Sequence, residues 1–281
     1  MFSSETKIAL ESFFVSLSVI LIISGVNIYT NNTSLSTNVV VYSTVAVLTC
    51  VLLKLVFKGN SFQIALRASF LGTVFALGIY LGLVAPAHIC IFGVYMCVMA
   101  FFHFSEFVAI AIVQPKQVSV DSFVINHSPQ YTVAAITSWL EFFVESYLFP
   151  GMKQIVWVSN IGLLICIGGE ILRKLSMFTA GTSFHHLVQC EKSKDHVLVT
   201  HGVYSWFRHP SYVGWFYWSI GTQILLLNPL CVPAYAVASW LFFKSRVYIE
   251  EITLLNFFGQ NYCDYQQKVG TGLPFIEGYR I

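Results

Sequence analysis

Residues 208–246 read RHPSYVGWFYWSIGTQILLLNPLCVPAYAVASWLFFKSR, an apolar run enclosed by charged ends. The run 211–243 is broken by Asn228-Pro229 and again by Pro233. Each arm is then ~15 residues, or about 23 Å of helix at 1.5 Å per residue, which is short for a ~30 Å hydrocarbon core. A helical hairpin turning at Leu227-Asn228-Pro229 fits best, either just spanning a bilayer or partly re-entrant. Pro210 suits the first turn of its helix, where a missing N–H removes no hydrogen bond.

The rest of the chain agrees with a membrane setting. Of 281 residues, 56% are hydrophobic and 10% charged, and the mean hydropathy is +0.71. A soluble domain of this size would need far more charge to cover its surface. Candidate spans are 11–29, 38–57, 66–85, 88–113, 131–149 and 154–172. With the hairpin, this predicts an all-α integral membrane protein of about eight transmembrane helices, organised as one membrane domain over 1–281. Residues 1–172 would carry helices one to six, and 173–281 a cofactor-binding and catalytic region. Phe13 to Tyr29 reads as a retained helix, because no small-residue cleavage pattern follows the first apolar run.

Lys and Arg in the short loops set the orientation. The 30–37 loop has none, the 54–67 region has Lys54, Lys58 and Arg67, and the 173–210 loop has Arg173, Lys174, Lys192, Lys194 and Arg208. Both termini and the 173–210 loop are therefore expected in the cytosol. The overlapping sequons at Asn31 and Asn32 would face the lumen, close to the bilayer. The formal charge of +2 and the lack of a basic stripe exclude an electrostatic nucleic-acid binder. The seven cysteines, Cys190 included, are scattered without a CxxC pair, so they read as packed free thiols, not metal ligands or disulfides.

No GxGxxG, P-loop or HExxH is present, so any nucleotide-like cofactor binds another way. The amides near Ser211 and Tyr212 could hold an anionic group at a helix start. Arg246 and Glu250, spaced i,i+4, share a helix face, while Glu251 turns ~100° away. A cation beside a carboxylate could read both ends of a zwitterion; an interfacial salt bridge would explain the pair equally well. The intramembrane groups His103 with Glu106, Glu141 with Glu145, and Glu170 call for structural pairing between helices or for a substrate passage.

Taken together, several stretches resemble the eukaryotic protein-S-isoprenylcysteine O-methyltransferase (isoprenylcysteine carboxyl methyltransferase) family. They are the run from His196 to Tyr204, Arg208-His209-Pro210-Ser211-Tyr212-Val213-Gly214-Trp215, Asn228-Pro229, Arg246 with Glu250-Glu251, and Gly272-Leu273-Pro274-Phe275-Ile276. Upstream, Phe102-His103-Phe104-Ser105-Glu106 and the stretch from Asp121 to Ser128 are similar too, so the likeness covers most of the chain past about residue 90. The Arg-His-Pro-x-Tyr core alone is less specific, being shared with phospholipid N-methyltransferases and sterol reductases.

The resemblance implies a multi-pass enzyme of the endoplasmic-reticulum membrane with its active site facing the cytosol. It would use S-adenosylmethionine to methylate the C-terminal carboxylate of a farnesylated or geranylgeranylated cysteine, in prenylated proteins such as small GTPases. By motif match the cofactor would contact Gln189, His196, Val197, Leu198, Val199, Tyr204, His209, Pro210, Ser211, Tyr212 and Glu250. Arg246 would be catalytic, meeting the substrate carboxylate, and no metal is called for. A phospholipid N-methyltransferase would need a base or carboxylate to receive a proton, and the paired Arg246 fits an anionic acceptor better. A nicotinamide-dependent sterol reductase should carry more Lys and Arg than the 15 here. A non-catalytic channel is the remaining class.

Overall fold

The computed structural model describes residues 3–31, 35–125, 128–188, 191 and 197–280. Among them the secondary structure is helical: α1 Ser4–Tyr29, α2 Leu35–Val56, α3 Gly59–Val84, α4 Ala87–Val113, α5 Pro129–Leu148, α6 Val156–Ala180, α7 Pro210–Leu225, α8 Cys231–Phe258 and α9 Gln260–Lys268. Helices satisfy their own backbone polar groups, which hydrocarbon cannot do for them. By length and composition four of these are apolar enough to cross a membrane: Ser4–Tyr29, Thr37–Val56, Gly59–Val84 and Ala87–Val113. The sequons at Asn31 and Asn32 run into residues 32–34, and Cys190, Lys192, Lys194 and Asp195 also lie outside the described residues.

Two compact units are present. The first holds residues 1–133 and 143–155. Here small residues allow close helix approach, as is usual where lipid supplies no hydrophobic drive between helices. A Cβ at Gly72 of α3 would collide with the Phe13 backbone of α1, and one at Gly78 would meet the Gly93 carbonyl of α4 at 2.6 Å. Phe13 stacks on Phe104 at 3.8 Å between centroids. Near one end of helix α2, Tyr42 bonds the Ser24 hydroxyl at 2.9 Å, and Asn27 donates to Asn38 at 2.9 Å. The intramembrane polar groups of this unit take structural partners. His103 bonds the Phe123 carbonyl and the Tyr131 hydroxyl, each at 3.0 Å, and Lys153 pairs with Glu145 at 2.8 Å.

The second unit holds residues 134–142, from within α5, and 156–281. Helices α6 and α7 meet along glycines. A Cβ at Gly169 would lie 2.5 Å from the Gly214 carbonyl, and one at Gly214 would lie 2.6 Å from the Gly169 carbonyl. The expected hairpin is present, its connection spanning residues 226–230 between α7 and α8. Its turn is held by a buried network: Asn228 Nδ2 donates to the Ser138 carbonyl at 3.0 Å and to Gln223 Oε1 at 3.1 Å. Glu141 accepts from the Leu230 and Cys231 amides at 2.7 and 2.8 Å, capping the α8 dipole with a negative charge.

Three features differ from the sequence reading. The arms are unequal, because α8 runs 28 residues to Phe258 while α7 has 16. Pro233 does not break α8; it sits in its first turn, where its missing N–H donor loses no intrahelical hydrogen bond. Helix α6 extends past 172 to Ala180, so Arg173 is a buried helical residue, 2% exposed, and not part of a polar loop.

Candidate cofactor and acceptor site

The site is built at the start of α7. His209 is the N-cap and Pro210 the first helical residue. The Tyr212 amide donates to the His209 carbonyl at 3.0 Å, so it is already engaged. Before the helix, the backbone amides of Arg208 and His209 bond the carbonyls of Gly270 at 2.8 Å and Thr271 at 3.3 Å. The strap of residues 269–280 that follows α9 thereby fixes where α7 begins.

Arg208 and Glu251 form the hub beneath the site. Arg208 Nε donates to Glu251 Oε1 at 2.8 Å, with both side chains fully buried. The rest of the guanidinium bonds the carbonyls of Gln266, Val269 and Glu277, the first at 3.3 Å and the last at 2.8 Å. Glu251 also accepts from His209 Nε2 at 3.1 Å, the Tyr262 hydroxyl at 3.2 Å, Gln266 Nε2 at 3.1 Å and the Tyr279 amide at 2.8 Å. A charge taken out of water needs this degree of satisfaction. The strap passes so close that a Cβ at Gly278, where φ is +82°, would overlap the Glu251 carboxylate.

On the adjacent side of α8 the wiring serves the cleft. The Tyr212 hydroxyl donates to Glu250 Oε2 and accepts from Arg246 Nε at 3.2 Å. A second Arg246 nitrogen donates to the His186 carbonyl at 2.6 Å. The Tyr212 ring lies parallel to that of His209, 5.5 Å between centroids. From α6, Arg173 donates to the Ser211 hydroxyl at 2.8 Å and places its guanidinium 4.7 Å over the Trp215 ring.

Val197, Leu198, Val199, Tyr204, His209, Pro210, Ser211, Tyr212 and Glu250 all line one cleft. Gln189 and His196 lie outside the described residues. Arg246 stands behind Tyr212, joined to the cleft through the phenol. The cleft wall also includes Phe184, Leu254, Phe258, Tyr262 and Tyr265, which no motif pointed to. Burial, with the Glu250 carboxylate next, pushes the Tyr204 phenol well above its ordinary range, and burial does the same at Tyr265. Both phenols stay neutral at physiological pH. Among the described residues the wall thus offers one carboxylate, neutral aromatic faces, His185 and His209, with Arg208 engaged in the hub and Arg246 one residue removed. That donor set suits a cationic ligand carrying an amino-acid end, with an anionic partner beside it.

A model for the isoprenylcysteine carboxyl methyltransferase (ICMT) family matches residues 161–256, which contain most of α6, all of α7, most of α8 and most of the cleft residues. The protein-S-isoprenylcysteine O-methyltransferase of Tribolium castaneum is 65% identical over 281 residues, covering 100% of both chains. The chain belongs to the isoprenylcysteine carboxyl methyltransferase family. The Homo sapiens protein-S-isoprenylcysteine O-methyltransferase is 54% identical over 230 residues, 82% of this chain and 81% of that one. A solved structure described as the eukaryotic intramembrane Ras methyltransferase ICMT, without a monobody, superposes with a TM-score of 0.98 at 64% identity, over 99% of this chain and 100% of that one. Family membership sets aside the N-methyltransferase, reductase and channel readings.

Glu251, part of the Glu250-Glu251 motif but assigned no role from the sequence, points away from Glu250 into the buried interior. An adjacent acidic pair flanked by apolar residues was the available signal, since one member of such a pair must face the interior.

Proposed function

We propose that this protein methylates the C-terminal carboxylate of a prenylated cysteine, with S-adenosylmethionine as methyl donor. One observation carries the assignment of roles: a single phenol, that of Tyr212, is bonded both to the carboxylate lining the cleft and to the arginine beside it. Residues 197–199, Tyr204, residues 209–212 and Glu250 would hold the donor, together with Gln189 and His196. When bound, S-adenosylmethionine supplies a methyl group made electrophilic by its sulfonium. Glu250 is the counter-charge for a ligand ammonium, and the faces of Tyr204 and Tyr212 favour positive charge.

The acceptor carboxylate is ionised at neutral pH, so no residue has to act as a general base. The task left to the chain is to orient two reactants and exclude water. Arg246 has Nε on Tyr212 and a second nitrogen on the His186 carbonyl. Its remaining N–H groups are the donors for the acceptor carboxylate, in a fork that two existing bonds hold still. Because the guanidinium is shared with the protein, it steers the carboxylate without quenching its nucleophilicity.

The setting we propose is the endoplasmic-reticulum membrane, crossed eight times with α7 and α8 as the last pair. The termini and the residues between α6 and α7 would face the cytosol, and residues 173–281 would form the catalytic region. A prenyl chain stays in the bilayer, each buried CH2 favouring it by roughly 0.8 kcal/mol. The acceptor would therefore arrive laterally while the donor comes from water.

Binding of labelled S-adenosylmethionine to the purified protein tests the division of roles. Glu250→Ala should weaken binding about tenfold or more, the loss of one charged hydrogen bond. Arg246→Ala should bind the donor normally yet transfer no methyl. Equal donor binding in all three proteins would contradict the assignment of Glu250.

A further inference from the structure

A second cavity lies in the first unit, between α1, α2 and α3. It has a volume of about 500 Å³ and is walled by α1 from Glu11 to Ile20, by α2 from Val45 to Val56, and by Ser69 and Thr73 of α3. That volume falls in the range of small-molecule sites. Helix α2 is tied to α1 at Asn38 and Tyr42, and the cavity lies beyond those ties, from Val45 to Val56. All three walls belong to helices long and apolar enough to span a bilayer, so its occupant comes from the membrane.

The polar groups in this groove narrow the choice. Ser12 and Ser16 are each only 6% exposed and line it. Neither hydroxyl has a hydrogen-bond partner among the described residues. Thr49 and Thr73 add two more hydroxyls to the wall. A saturated acyl chain offers these groups nothing to bond. Glu11, at one end, is the one ionisable residue of the lining among the described residues, and a lipid phosphate would be repelled there. A neutral lipid with a hydroxyl on a rigid apolar body meets both conditions. The α1 face it would lie on, Ser12, Val15, Ser16 and Val19, repeats at helical spacing and carries small or β-branched side chains, which admit a flat ring system closely.

We infer that this groove binds one sterol, its hydroxyl among Glu11, Ser12 and Ser16 and its rings along α1 and α2. The protein reconstituted in phosphatidylcholine vesicles can be irradiated with a diazirine-bearing sterol and the labelled peptides mapped. Label should fall on residues 11–20 and 45–56. Excess free sterol should compete it away, and the same sterol esterified at its hydroxyl should not. Ser16→Leu should lower labelling several-fold. If that variant does not fold, Ser12→Ala combined with Ser16→Ala should lower it in the same direction. Label that is not competed, or is competed equally by the ester or by phospholipid, would overturn the inference in favour of ordinary boundary lipid. Crosslinking of Ser16→Cys to a second copy through this groove would overturn it in favour of self-association.

Discussion

At the scale of single residues, the site depends on two neighbouring carboxylates with opposite surroundings. Successive side chains on a helix point ~100° apart, so Glu250 reaches the cleft while Glu251 enters a dry hub with Arg208. Breaking a fully buried ion pair from one side costs about 3–5 kcal/mol. Glu251→Gln should therefore lower the unfolding midpoint by several degrees, whereas Glu250→Gln should leave it near wild type and lose donor binding; thermal unfolding read beside a binding assay checks both. Tyr212→Phe should keep the ring stack but free Arg246 Nε, raising KM for the acceptor more than for the donor, as initial-rate kinetics can show. Arg246→Lys should not restore activity, since an ammonium cannot bond Tyr212, His186 and a carboxylate in one plane. The motif from Arg208 to Tyr212 stood out in the sequence as a candidate ligand site, and its residues line the cleft. That Arg208 serves the scaffold was not legible there, because its partners Glu251, Gln266, Val269 and Glu277 lie 43 to 69 residues away.

At the scale of elements, the helices were readable because apolar runs in lipid have few alternatives to helix. The turn at Asn228 was placed correctly, and its polar side chain is spent on Ser138 and Gln223. The ends of elements were less readable. Arg173 looked like the start of a loop, yet its charge is accommodated by Ser211 and Trp215, a tertiary effect invisible to local hydropathy. Short, polar α9 gave no apolar periodicity to find, although its Tyr262 and Gln266 complete the hub. The α6–α7 contact makes a sharp test. Gly169→Leu has no room beside the Gly214 carbonyl, whereas a Cβ at Gly168 meets nothing within 4 Å. Gly169→Leu should abolish a monodisperse folded peak in size-exclusion chromatography, and Gly168→Leu should leave it unchanged.

At the scale of the whole molecule, composition alone separated this chain from soluble enzymes, and the family's intramembrane methyltransferase structure agrees with that separation. Among the described residues four helices pass as spans by hydropathy; in the C-terminal half, α7 is about 24 Å long and α6 carries Glu170, Arg173 and Lys174. Ionisable residues on such helices dilute the hydropathy signal that identifies membrane spans. The central claim concerns the acceptor. Purified protein in vesicles should be given methyl-labelled S-adenosylmethionine with farnesylcysteine, unprenylated cysteine peptide or phosphatidylethanolamine in parallel. The account predicts base-labile methyl ester on farnesylcysteine alone; label on the phospholipid amine, or equal turnover of the unprenylated peptide, would contradict it.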